Sequence, residues 1–159
     1  MQPVFVLAEA GSSHDGDFDK ALQLIEVAKA AGANACKFQW TSSPMKLAKR
    51  RHAEEDELRY RAINFPKAWH SVLAARCKDL GLEYMCTVYL EEDIGVVSPH
   101  VSRFKIGSFE CYLDDFMRAH RCYRKPVFVS IGMSKGFPRE ALRTAQKTHG
   151  AILQCTSSY

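Results

Sequence analysis

Short β-branched and aromatic runs alternate along this chain with longer stretches whose apolar residues recur at helical spacing. The runs at residues 4–8, 35–39, 84–87, 104–106, 127–130 and 152–154 predict six strands. After the first, "FDKALQLIEVAKAAGA" sets Ala21, Leu22, Ile25, Val27 and Ala28 on one helical period and stops at Gly32, a C-terminal signal. "PKAWHSVLAARCKDLG" opens with Pro66 in a first-turn position and stops at Gly81. "LEEDIGVVSP", "YLDDFMRAHR" and "FPREALRTAQKTHG" fill the later gaps, the last again running from a proline to Gly150. Alternation of this kind predicts right-handed βαβ units and a parallel sheet. The repeat of roughly 25 to 30 residues matches one unit of a (β/α)8 barrel. The fold class expected is therefore α/β, a TIM-type barrel with about six of its eight strands in this chain, over a single partial domain spanning residues 1–159. A doubly wound open sheet is the rival. It usually carries a G-x-G-x-x-G loop after its first strand, and "EAGSSHDG" is not one.

The polar positions break the pattern in a regular way. A parallel strand is covered on both faces and should read as nearly continuous apolar residues. Here each predicted strand turns polar toward its C-terminal end. Glu9 follows the first strand. Lys37 and Gln39 share one face of the second, with Cys36, Phe38 and Trp40 on the other, because side chains alternate. Thr87 ends the third, and Lys105 lies in the fourth, followed by Ser108 and Glu110. Ser130 ends the fifth, with Gly132 after it, and Gln154, Thr156 and Ser157 end the sixth. One buried lysine would be unremarked, since its ammonium can reach solvent at an edge. Six strands doing the same describe a ring, and in an α/β barrel the active site lies at that end of the strands. Lysines with hydroxyls suit a phosphate or carboxylate. Carboxylates suit proton transfer or the hydroxyls of a sugar.

Composition narrows the classes. The chain has 159 residues, 47% hydrophobic and 25% charged, as expected of a soluble globular domain. No apolar run approaches the roughly 20 residues of a membrane span, and "MQPVFVLAEAG" does not read as a signal peptide. A net charge of +4 fits an anionic small molecule better than nucleic acid. The one basic run, "KLAKRRH", reads as a solvated loop or helix face. Six cysteines occur with no C-x-x-C pair, which points to a reducing cytoplasm without disulfides or a zinc site; those in strand runs act as small hydrophobes. His14 with Glu9 or Asp15 could ligate a metal, but "SHDGD" is better read as a loop in which Asp17 caps the next helix. His70, His100, His120 and His149 fall on helices or helix ends and are expected at the surface.

The polar strand ends sit in motifs that resemble the N-acetylneuraminate (sialic acid) synthase family, with its relatives that make other nonulosonic acids. "AEAGSSHDG" at residues 8–16 is similar to that family's A-E-x-G-x-N-H-x-G. "CKFQ", "CTVY" and "FKIGSFE" are similar to V-K-F-Q, S-T-P-F and Y-K-I-(A/G)-S-x-E, and "SIGM" and "QCTSSY" to S-T-G-M and H-C-T-(S/N)-x-Y. They occur in the family's order across the whole chain. The resemblance implies condensation of phosphoenolpyruvate with the open-chain aldehyde of N-acetylmannosamine or another N-acyl hexosamine. It assigns Lys37, Thr87, Lys105, Ser108, Ser130 and Ser157 to the carboxylate and phosphate, Glu9 and Glu110 to the sugar and its protons, and Gln39 and Tyr159 to the pocket lining.

Four positions depart from the pattern: Ser13, Val88, Ile131 and Gln154 stand where the family has Asn, Pro, Thr and His. These bear on sugar specificity more than on reaction class. The resemblance also implies a divalent metal, Mn or Mg, whose usual histidine ligands belong to strands seven and eight and are not in this sequence. The expectation is a truncated barrel with unpaired edges at strands one and six, completed by a homodimer or a complementing chain and with little activity alone. The rival functions are a Schiff-base aldolase using Lys37 or Lys105, and an inactive barrel that binds only an anion or a partner chain.

Overall fold

The computed structural model describes residues 4–62, 64–133, 136 and 138–156. The chain divides into two compact units, Met1–Cys86 and Thr87–Tyr159. In the first, β1 (Leu7–Gly11) lies beside β2 (Ala35–Gln39), and β2 beside β3 (Glu83–Thr87), whose last residue opens the second unit. Strands β1 and β2 run parallel, with Leu7 opposite Ala35 and Glu9 opposite Lys37. α1 (Phe18–Ala30) follows β1 and buries Ala21, Ile25 and Ala28, the stripe set by its period. Asp17 caps it by accepting a hydrogen bond from the Lys20 amide at 3.0 Å. α1 packs on α4 (Trp69–Asp79), which buries His70, Leu73 and Cys77. Between β2 and α4 lie α2 (Pro44–Arg50) and α3 (Glu57–Ala62), so the basic run is helical and buries Leu47 and Ala48 on its inner side.

In the second unit β4 (Phe104–Ile106), β5 (Val127–Ser130) and β6 (Ala151–Leu153) are parallel neighbours, and Thr87 pairs with Lys105. α5 (Glu91–Val97), α6 (Asp114–Arg121) and α7 (Arg139–Lys147) supply Ile94, Val97, Phe116, Met117, Ala141 and Ala145 to a core against Phe104, Ile106, Val127 and Val129. Arg121 of α6 forms an ion pair with Glu140 of α7 and donates to Thr144 Oγ1 at 2.9 Å. Every strand pairing with a recorded register is parallel, as strand–helix alternation predicts.

Two histidine expectations are overturned. His70 and His120 are fully buried, not at the surface. Burial is tolerated because each ring has a partner for Nδ1, the Tyr84 hydroxyl at 2.8 Å and the Phe116 carbonyl at 2.9 Å. His149 is exposed and His100 half-buried. No helix among the described residues is long and apolar enough to cross a membrane.

Candidate active site

The first unit gathers three of the expected residues at the C-terminal ends of its strands. Lys37, 2% exposed, points its ammonium at Glu9, with Nζ 2.8 Å from Oε1 and 2.6 Å from Oε2. The pair is asymmetric: the lysine side chain is 3% exposed and the carboxylate 56%. A buried ammonium needs a counter-charge, and here that charge sits at the solvent side. The register slips between Glu9 and Gly11, and Gly11 adopts φ +55°, a conformation glycine takes without cost. A β-carbon at Gly11 would stand 3.5 Å from Glu9 Oε1 and 3.9 Å from Gln39 Nε2. The carboxylate and the amide therefore flank the bare face of Gly11.

The loop after β1 is built around His14. Its ring is fully buried against Phe38, Phe65 and Trp69, and its Nδ1 accepts the Gly16 N–H at 2.9 Å. The proton is thus on Nε2, which has no partner among the described residues. Burial holds the His14 pKa below its ordinary value, with Asp15 opposing weakly. Its acceptor nitrogen is spent on the loop, so His14 serves structure here, as the capping reading of "SHDGD" has it.

The second unit gathers the rest of the described set. Lys105 Nζ donates to Ser130 Oγ at 2.7 Å and to the Ile106 carbonyl at 2.9 Å, and both side chains are buried. Thr87, also buried, sits across from Lys105. Ser108 Oγ accepts the Gly132 N–H at 3.2 Å and thereby ties the turn after β4 to the turn after β5. Glu110 is only 1% exposed and folds back over Gly107, where an added β-carbon would come within 2.7 Å of its Oε2. Sequence reasoning missed Cys155. Placing Gln154 and Thr156 in the ring ran one residue out of phase, since both are exposed while Cys155 Sγ lies 3.2 Å from Ser130 Oγ. The signal was there in the alternation from Leu153, which pairs with Ser130. Ser157 and Tyr159 lie outside the described residues.

Both ammonium groups are engaged as donors to oxygen acceptors. That arrangement suits anion binding, whereas a Schiff-base nucleophile needs the nitrogen lone pair. For the divalent metal that the sequence resemblance implies, no three His, Cys, Asp or Glu side chains converge among the described residues. The described residues do not fit such a site.

A model of the NeuB family matches residues 24–159. The chain belongs to the NeuB family. This NeuB-family chain is 30% identical to the N,N'-diacetyllegionaminic acid synthase of Legionella pneumophila, over 98% of its own length and 49% of that protein. It is 31% identical to the spore coat polysaccharide biosynthesis protein SpsE of Bacillus subtilis, over 99% and 46%. In structure it is similar to the N-acetylneuraminic acid (sialic acid) synthetase of Leptospira borgpetersenii solved with citrate, at TM-score 0.86 and 26% identity, covering 99% of this chain and 56% of that one. The NeuB-family fold here is α/β of the TIM-barrel type, with six strands among the described residues. The chain spans about half the length of the curated relatives it matches.

Proposed function

We propose that this chain is part of a synthase domain that condenses phosphoenolpyruvate with N-acetylmannosamine or a related N-acyl hexosamine, giving a nonulosonic acid and phosphate. The observation that carries this reading is the placement of two buried lysines, Lys37 and Lys105, at strand ends beside oxygen-bearing side chains. The family resemblance assigns Lys37, Thr87, Lys105, Ser108, Ser130 and Ser157 to the carboxylate and phosphate of phosphoenolpyruvate. Such preorganised charge is where enzymes of this type gain most. Glu9 is the group able to yield, because it faces solvent while its lysine does not. C3 of phosphoenolpyruvate attacks the aldehyde carbon, whose oxygen takes a proton. Water then adds at C2, and the tetrahedral carbon expels phosphate by C–O cleavage to leave the 2-keto acid. By the same resemblance Glu9 and Glu110 are assigned to the amino sugar and these protons, and Gln39 and Tyr159 to its pocket. The citrate in the Leptospira enzyme is an anion of similar character and supports the reading.

Calorimetric titration with phosphoenolpyruvate tests it. Lys37→Met and Lys105→Met are each expected to weaken binding at least about tenfold. Lys37→Met leaves a half-exposed carboxylate behind and is expected to cost less than about 1 kcal/mol of stability. Unchanged affinity in both variants would sink the proposal. Borohydride trapping with pyruvate addresses the aldolase rival: a covalent adduct on either lysine would replace the synthase mechanism.

A further inference from the structure

A serine hydroxyl offers one proton and two acceptor lone pairs. At the end of β5 both acceptor positions of Ser130 are taken. Lys105 Nζ, which can only donate, reaches Ser130 Oγ at 2.7 Å, and Cys155 Sγ donates to the same oxygen at 3.2 Å. The other acceptor near this thiol, the Leu153 carbonyl, is farther at 3.8 Å. The Lys105 contact leaves the hydroxyl its own proton and one lone pair, and the Cys155 thiol is placed to occupy that lone pair. Lys105 and Ser130 are buried and Cys155 is half-buried, so the string runs from the interior outward. We propose that Cys155 is a positioning residue: by occupying the second lone pair it fixes the Ser130 hydroxyl with its proton directed at the phosphate or carboxylate of the substrate. This rests on the reading of Ser130 as an anion contact. A thiol is a weak donor, so it orients the hydroxyl without adding a second strong donor that competes for the anion. Without it one lone pair is vacant, and the hydroxyl rotor is free to turn its proton away.

The test is calorimetric titration of the 159-residue chain with inorganic phosphate and with phosphoenolpyruvate. The proteins compared are wild type, Lys105→Met, Ser130→Ala, Cys155→Ala, Cys155→Ser and Cys155→Val, the last close to cysteine in volume but without a donor. Loss of one orienting hydrogen bond is expected to weaken phosphate binding about three- to tenfold in Cys155→Ala and Cys155→Val. Cys155→Ser, which keeps a donor, is expected to bind within about twofold of wild type. Wild-type affinity in Cys155→Ala and Cys155→Val, with binding lost in Ser130→Ala, would overturn the role of Cys155 and leave the anion site standing. A Cys155→Ser variant as weak as Cys155→Ala would also overturn it, because the thiol would then matter for packing and not as a donor. No binding by wild type, or no effect of Ser130→Ala and Lys105→Met, would remove the anion site and this role with it.

Discussion

Glu110, assigned to the amino sugar, is buried and folds over Gly107. Gly107 has ordinary extended backbone, φ −70° and ψ 160°, so an alanine there strains nothing in the main chain. Its β-carbon would nonetheless stand 2.7 Å from Glu110 Oε2 and push the carboxylate aside. Gly107→Ala is therefore expected to fold normally and to keep phosphoenolpyruvate affinity within about twofold, while acceptor-sugar binding falls more steeply, since a displacement of about 1 Å is enough to spoil alignment. Parallel titrations with the two ligands measure this, and equal effects on both would disconnect Glu110 from the sugar. Lys37 and Lys105 were legible from sequence because a charge inside an apolar strand has few structural explanations. His70 and His120 were not, because burial of a neutral imidazole depends on one distant oxygen that no local pattern announces. Cys155 was missed for a related reason: it falls just past the run at 152–154, and its donor role shows only beside Ser130.

Among the elements, β2, β4 and β5 have the bounds read from sequence, since each is a compact apolar run with turn residues close by. β1 begins at Leu7, three residues later than expected from the run at 4–8, and extends through the bulge at Gly11. Val4, Phe5 and Val6 are exposed, and the Val6 carbonyl accepts from the Asn34 and Ala35 amides just before pairing begins. Apolar character alone could not separate the approach from the strand. α2 and α3 were not assigned as separate helices, being short and highly charged. The α7–β6 junction shows the opposite case, a position fixed by close approach. A β-carbon on Gly150 would collide with the Val127 carbonyl oxygen, a backbone atom that cannot swing away. Gly150→Ala is expected to force β5 and β6 apart and cost about 3 kcal/mol in urea unfolding. A midpoint within experimental error of wild type would show that the junction relaxes freely.

At the scale of the whole chain, each unit carries a fully buried histidine held neutral, and this makes stability depend on pH. His120 donates Nδ1–H to the Phe116 carbonyl and keeps a bare Nε2 against Phe104 and Phe116. Burial lowers its pKa to about 4, against opposing contributions from the Phe116 carbonyl and Glu91. His14 is lowered for the same reason, and its protonation would also remove the acceptor of the Gly16 N–H. A depressed folded pKa means that the unfolded chain takes up the proton first as pH falls. The stabilisation is complete above the unfolded value near 6.5 and is lost on descending toward about 4. For His120 the full loss amounts to roughly 3 kcal/mol. Glu140, held below its usual 4.5 chiefly by its hydrogen bond from Arg121, gives up its contribution on descending below about that value, so it adds little to the slope between pH 7 and pH 4.5. Urea midpoints followed by circular dichroism are expected to fall steadily from pH 7 to pH 4.5. In His120→Gln the slope over that interval is expected to be much shallower, from a lower starting midpoint, because the titrating group is gone while a hydrogen-bond donor remains. A wild-type midpoint that stays level across the interval would mean that the buried imidazoles reach water before the chain unfolds.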